Sequence, residues 1–185
     1  MTGSNNDVSF EDKVFEIYIP KEDLANTVSS LAAKLNKDYG AFDLEIILIS
    51  ILDGSFIFMA DLVRQLTFPH KIHFVKLKSY QGMESTGQIQ YILDMESAEV
   101  KGKHVIIIED IVDTGLTIAS FVEKLEKADP LSVKTCALLS KPDVHNDIID
   151  IHYLGKEIPP LFVIGYGLDI NGYGRNLPGI YKLKI

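Results

Sequence analysis

Val105-Ile106-Ile107-Ile108-Glu109-Asp110-Ile111-Val112-Asp113-Thr114-Gly115-Leu116-Thr117 is the stretch on which the fold turns. The apolar, β-branched residues 105–108 predict a strand buried on both faces, 109–117 a polar loop, and 118–127 a helix. The same order occurs earlier, with a strand predicted at 45–51, a tight turn at Asp53-Gly54 and a helix at 56–66. Before these, Leu24, Val28, Leu31 and Leu35 fall at the spacing of one helix face between Pro20 and Gly40. Further strands are predicted at 133–139, 149–154, 161–164 and 180–183. Strands alternating with helices imply an α/β fold, a mainly parallel twisted sheet flanked by helices, with ligands beyond the carboxyl ends of the strands. That rule directs attention to Asp53-Gly54 and to 109–117.

Length and composition narrow the setting. The 185 residues, 46% hydrophobic and 24% charged, predict a single domain over 1–185 with a loose polar tail at about 1–10. A net charge of -8, from 18 Lys and Arg against 26 Asp and Glu, argues against nucleic acid or an anionic membrane as partner. An anionic substrate then needs its own local cradle. The lone Cys136 excludes an intrachain disulfide and lies in an apolar run, so a buried thiol in a reducing compartment is expected rather than a nucleophile. No apolar run approaches the ~20 residues of a bilayer span, and the N-terminal residues do not read as a secretory signal, so a cytoplasmic location is expected. Lys71, Lys76 and Lys78 read as one solvated strand face, and the scattered histidines lack the spacing of a zinc site. Residues 79–87, rich in Gly, Ser and Thr, read as a mobile connection between strands.

The decisive stretch also carries chemistry. The turn from Asp113 to Thr117 can aim backbone N–H groups, the Thr114 and Thr117 hydroxyls and a helix N-terminus at one phosphate, with Gly115 allowing close approach. It has neither the Lys-Ser or Lys-Thr pair of a Walker A loop nor the Gly-x-Gly-x-x-Gly of a dinucleotide site. Glu109 and Asp110, just before it, are placed to meet ribose hydroxyls or magnesium-bound oxygens. The competing reading of the turn is that Asp113 and Thr114 only cap the helix.

The strand, acidic pair and Asp-Thr-Gly-x-Thr turn resemble the phosphoribosyl pyrophosphate motif of type I phosphoribosyltransferases. Leu52-Asp53-Gly54-Ser55-Phe56, Ser79-Tyr80, Leu139-Ser140-Lys141-Pro142, Phe162 to Asp169 and Arg175-Asn176-Leu177-Pro178 are similar to segments of its hypoxanthine-guanine branch, from about Phe10 to Leu183. The resemblance implies that fold, with a small hood formed by terminal segments. It also implies a magnesium-dependent purine salvage reaction, in which hypoxanthine or guanine, with xanthine a further candidate, plus 5-phosphoribosyl 1-pyrophosphate yields IMP or GMP plus pyrophosphate.

By position, the resemblance implies Asp113 as the proton carrier at purine N7, and Glu109, Asp110, Asp113, Thr114, Gly115, Leu116 and Thr117 as the ribose and 5-phosphate site. Asp53, Gly54 and Arg175 would meet pyrophosphate, the turn through its backbone, often by an unusual cis peptide. Lys141, Phe162, Val163 and Asp169 would bind the base, and Asp169, Glu109 and Asp110 the magnesium. Ser79 and Tyr80 would belong to a closing lid, and a homodimer or homotetramer is implied. Relatives often have a basic residue at the position of Asp53, and some have Lys at that of Leu116. A non-catalytic nucleotide-binding regulator of the same fold is the alternative.

Overall fold

The computed structural model describes residues 7–40, 45–79, 89–145 and 148–184. Its larger sheet has the order β5-β4-β3-β6-β7-β8, from Ile89–Leu93 (β5), Lys71–Ser79 (β4), Ile46–Leu52 (β3), His104–Val112 (β6), Ser132–Ser140 (β7) and Tyr153–Glu157 (β8). All pairs are parallel except the edge pair β4–β5. The helices are α1 (Lys21–Tyr39), α2 (Phe56–Val63), α3 (Leu116–Glu126) and the short α4 (Pro142–His145).

The central strands are apolar throughout because both faces are covered. Side chains alternate along a strand. Leu48, Ile106 and Ile108 therefore join the core under α1 and α2, whereas Ile47, Ile49, Val105 and Ile107 join the core under α3. Each of these fully buried side chains contributes about 1.5–3 kcal/mol relative to exposure. β3 runs through α2 to β4 on one side, and β6 runs through α3 to β7 on the other. The chain thus changes direction between β3 and β6, where an open parallel sheet leaves a crevice for ligand.

A second, antiparallel sheet of order β1-β2-β10-β9 joins Val8–Phe10 (β1) and Lys13–Ile19 (β2) to Val163–Ile164 (β9) and Ile180–Leu183 (β10). This is the hood built from terminal segments. Phe15, Ile164, Ile170 and Tyr181 form its core, while Ile19, Val163 and Tyr166 pack into the main one.

Several boundaries depart from the sequence reading; α2 ends at Val63 rather than at 66, and β9 begins at Val163 rather than at 161. Residues 8–10, expected in the loose tail, pair with β2 instead. The strand expected at 149–154 lies at Tyr153–Glu157, where backbone pairing with β7 sets the limits; Ile149 and Ile151 pack beneath α3 instead. Gly155 permits that pairing, since a Cβ there would lie 2.4 Å from the Leu138 carbonyl oxygen. The strand ending at 108 continues through Val112, because β7 pairs as far as Val112↔Ser140.

Candidate active site

Glu109 and Asp110 are therefore strand residues, held by the ladder rather than by a loop. Asp110 is buried, its Oδ1 accepts the Ile111 N–H at 2.9 Å, and its Oδ2 lies against Gly54, where a Cβ would come within 1.7 Å. Burial raises the Asp110 carboxyl to about 6; the Ile111 and Asp110 N–H groups and Arg175 pull it down, and Asp169 pushes it up. Burial, then the charge of Asp110, holds the Glu109 carboxyl well above its ordinary range. The Glu109 Oε2 is sealed from solvent without a hydrogen-bond partner. An acceptor left so is costly unless a ligand donor satisfies it.

β6 leads through Asp113 and Thr114 to Gly115, which takes φ +74° and stands as the N-cap of α3. The helix thus begins at Leu116, two residues before 118. The N-cap position falls to Gly115, which has no side chain, so neither Asp113 nor Thr114 occupies it. The first N–H groups of a helix have no partner within it, and together they make an anion site. Leu116 is 62% exposed, so its apolar side chain adds nothing to a phosphate cradle and only its backbone can contribute. The backbone of Lys141 is tied to the same turn by its N–H bond to the Val112 carbonyl, 2.9 Å. Its Nζ lies 3.0 Å from Asp113 Oδ2. The lysine side chain is 11% exposed and the aspartate 53%, so the carboxylate faces the opening with a buried cation behind it.

At the end of β3, a cis peptide joins Leu52 to Asp53; the cis bond precedes Asp53 rather than linking it to Gly54. Asp53 Oδ2 pairs with Lys76 Nζ at 2.6 Å and lies 3.9 Å from Arg175 Nη2. The same Arg175 nitrogen is 2.8 Å from Asp169 Oδ1, and Nη1 donates to the Gly167 carbonyl at 2.7 Å. Gly167, at φ +104°, lies so close to Gly54 that a Cβ would sit 1.9 Å from the Gly54 carbonyl oxygen. The hood turn and the β3 turn are therefore in backbone contact. Phe162 presents a half-exposed ring, with Phe15 at 6.1 Å, while Val163 is buried in β9 opposite Lys182.

A phosphoribosyl transferase domain family matches residues 19–171. The chain belongs to the phosphoribosyltransferase family. It is 41% identical over 170 residues to a hypoxanthine-guanine phosphoribosyltransferase of Staphylococcus aureus, covering 91% of this chain and 93% of that one. Its counterpart from Aquifex aeolicus is 35% identical over 173 residues, with 93% and 96% covered. Among solved structures, a hypoxanthine phosphoribosyltransferase of Staphylococcus aureus matches with TM-score 0.85 and 40% identity over 91% of both chains. A hypoxanthine-guanine phosphoribosyltransferase of Bacillus anthracis matches with TM-score 0.84 and 33% identity, over 94% of this chain and 99% of that one. The resemblance read from the motifs is borne out, as is the type I phosphoribosyltransferase fold.

In this phosphoribosyltransferase, three groups expected at the site come together as pairs or rows: Asp113 with Lys141, Asp110 with Gly54, and Asp53 with Arg175 and Asp169. Among the described residues no three His, Cys, Asp or Glu side chains converge as a metal cage of their own. Of the expected lid, Ser79 ends β4, and residues 80–87, including Tyr80, lie outside the described residues. Among the described residues no helix is long and apolar enough to cross a membrane. Sequence reasoning missed Lys76, placed on a solvated face, and the hydrogen bond from the Tyr166 hydroxyl to Asp61, 2.7 Å, which ties the hood to α2. It also passed over His145, whose Cβ would meet a Cβ on Gly115 at 3.4 Å and whose Nε2 lies 2.9 Å from Ser140 Oγ. Its position four residues after Lys141 was the available signal.

Proposed function

We propose that this enzyme converts hypoxanthine or guanine, with 5-phosphoribosyl 1-pyrophosphate, to IMP or GMP and pyrophosphate. The observation that carries this reading is the 3.0 Å pair between Asp113 Oδ2 and Lys141 Nζ. On a 6-oxopurine, N7 and O6 are neighbours on one edge, and O6 accepts hydrogen bonds. A carboxylate beside N7 takes its proton, and an ammonium, which only donates, meets O6. Adenine presents an amino donor at the same place, so Lys141 selects against it.

N9 of the base attacks ribose C1 as the bond from C1 to the pyrophosphate oxygen breaks, and the N7 proton passes to Asp113. Phe162 stacks on the base, and Val163 and Asp169 read its edge. Thr114, Gly115, Leu116 and Thr117 hold the 5-phosphate, Leu116 through its backbone alone. Glu109 and Asp110 hold the ribose hydroxyls, and the unpartnered Glu109 Oε2 fits a hydroxyl donor. Asp53 and Gly54, through their backbone, and Arg175, through its guanidinium, receive the pyrophosphate. Magnesium, when bound, supplies charge neutralisation on that leaving group; a hard cation that keeps substrate oxygens and waters suits the carboxylates of Asp169, Glu109 and Asp110 without an all-protein cage. Ser79 and Tyr80 belong to a lid that keeps water, the competing nucleophile, from C1. The enzyme works in the cytoplasm as a single-domain chain in a homodimer or homotetramer.

The test offers hypoxanthine, guanine, xanthine and adenine separately, with phosphoribosyl pyrophosphate and magnesium, and follows nucleotide and pyrophosphate. Product from 6-oxopurines and none from adenine is expected. Turnover of adenine at a comparable rate removes the role given to Lys141, and nucleotide binding without product from any base favours the regulator.

A further inference from the structure

Lys76 stands in β4 opposite Leu52 of β3, so the parallel register brings it level with the turn that β3 enters. Its ammonium takes one oxygen of Asp53, at 2.6 Å, and that oxygen is 3.9 Å from Arg175, which in turn pairs with Asp169 at 2.8 Å. Lys76, Asp53, Arg175 and Asp169 therefore alternate in sign along one side of the crevice. The row is neutral as it stands. Without Lys76 it has a net negative charge, with Asp110 close behind Gly54, just where a polyanionic leaving group must collect.

We infer that Lys76 is a positioning residue of the pyrophosphate turn: by neutralising Asp53 from the neighbouring strand, it keeps Arg175 and the Gly54 backbone available to the anion. This rests on the transferase reading proposed above. An Asp53 deprived of Lys76 has Arg175 as the next cation in the row. Closing that 3.9 Å gap draws the guanidinium away from Asp169 and from the Gly167 carbonyl it holds at 2.7 Å. Lys76 and Asp53 are both more than a third exposed, so the effect is moderate and sensitive to salt.

The experiment compares Lys76→Met, Asp53→Asn and the double variant with the wild type. Magnesium pyrophosphate is titrated calorimetrically at low and physiological ionic strength, and phosphoribosyl pyrophosphate and hypoxanthine are varied in turn in steady-state assays. Lys76→Met is expected to weaken pyrophosphate binding about fivefold at low salt, and to raise KM for phosphoribosyl pyrophosphate more than it lowers kcat or changes KM for hypoxanthine. Adding Asp53→Asn restores most of that loss, because the charge to be neutralised is gone. Wild-type affinity in Lys76→Met overturns the inference. So does a double variant as weak as Lys76→Met, which would mean that Lys76 meets the anion directly. Pyrophosphate binding is read without turnover, so the predicted charge dependence in a protein that transfers to no base sinks the transferase reading alone.

Discussion

Replacing Asp110 by Asn is expected to make the protein more stable while damaging its site. Burial holds the Asp110 carboxyl at about 6 against an ordinary 3.8, so the folded chain binds this proton more tightly than the unfolded one. The stability linked to that proton is fully present below about pH 4 and is lost as pH rises to about 6, above which the fold must keep a buried carboxylate ionised. At about 1.4 kcal/mol per pH unit, the rise amounts to about 3 kcal/mol. Asparagine keeps the acceptor for the Ile111 N–H and has no charge to bury. The Asn amide must still fit against Gly54, so a gain of about 1–3 kcal/mol at pH 8 is expected, shrinking towards zero near pH 4. Urea unfolding of both proteins at pH 8 and pH 4.5, without magnesium or substrate, measures it. An Asn variant no more stable at pH 8, or one whose advantage is equal at both pH values, refutes the reasoning.

Two further outcomes follow from packing. Gly54→Ala places a methyl 1.7 Å from the Asp110 carboxylate oxygen, in a buried contact with little room to relax, so urea unfolding should register a loss of about 1–3 kcal/mol and pyrophosphate affinity should fall with it. Unchanged stability would show that the β3 turn moves freely. Cys136 is fully buried and its thiol is pushed up to about 12, so a thiol reagent at pH 8 should label it only on the unfolding timescale, whereas rapid labelling of the native protein contradicts its place in the core.

The class of fold was legible because it follows from local chemistry. Unbroken β-branched runs need cover on both faces, and each is followed by a turn and a helical period, which together imply a parallel sheet. The turn proposed to hold the 5-phosphate was legible as a turn for the same reason: Asp113, Thr114, Gly115 and Thr117 fall within five residues that lead into α3, so their joint geometry depends on one local segment. Element limits were less so. Glu109 and Asp110 read as loop because they are acidic, but hydrogen bonding to β7 extends the strand through them, and such pairing is not written in the segment itself.

Only the tertiary structure decided which distant residues meet. The register of β3 with β4 puts Lys76 on Asp53, and the meeting of two glycine-bearing turns brings Gly167 to Gly54, with Arg175 between two carboxylates. Lys76 in isolation is another polar residue on a strand, and its alternation with apolar neighbours reports only that one face is wet. A sequence determines what each segment tends to form because those preferences act over a few neighbouring residues; a charge row from β4, β3 and the hood exists only after three separate backbones have packed.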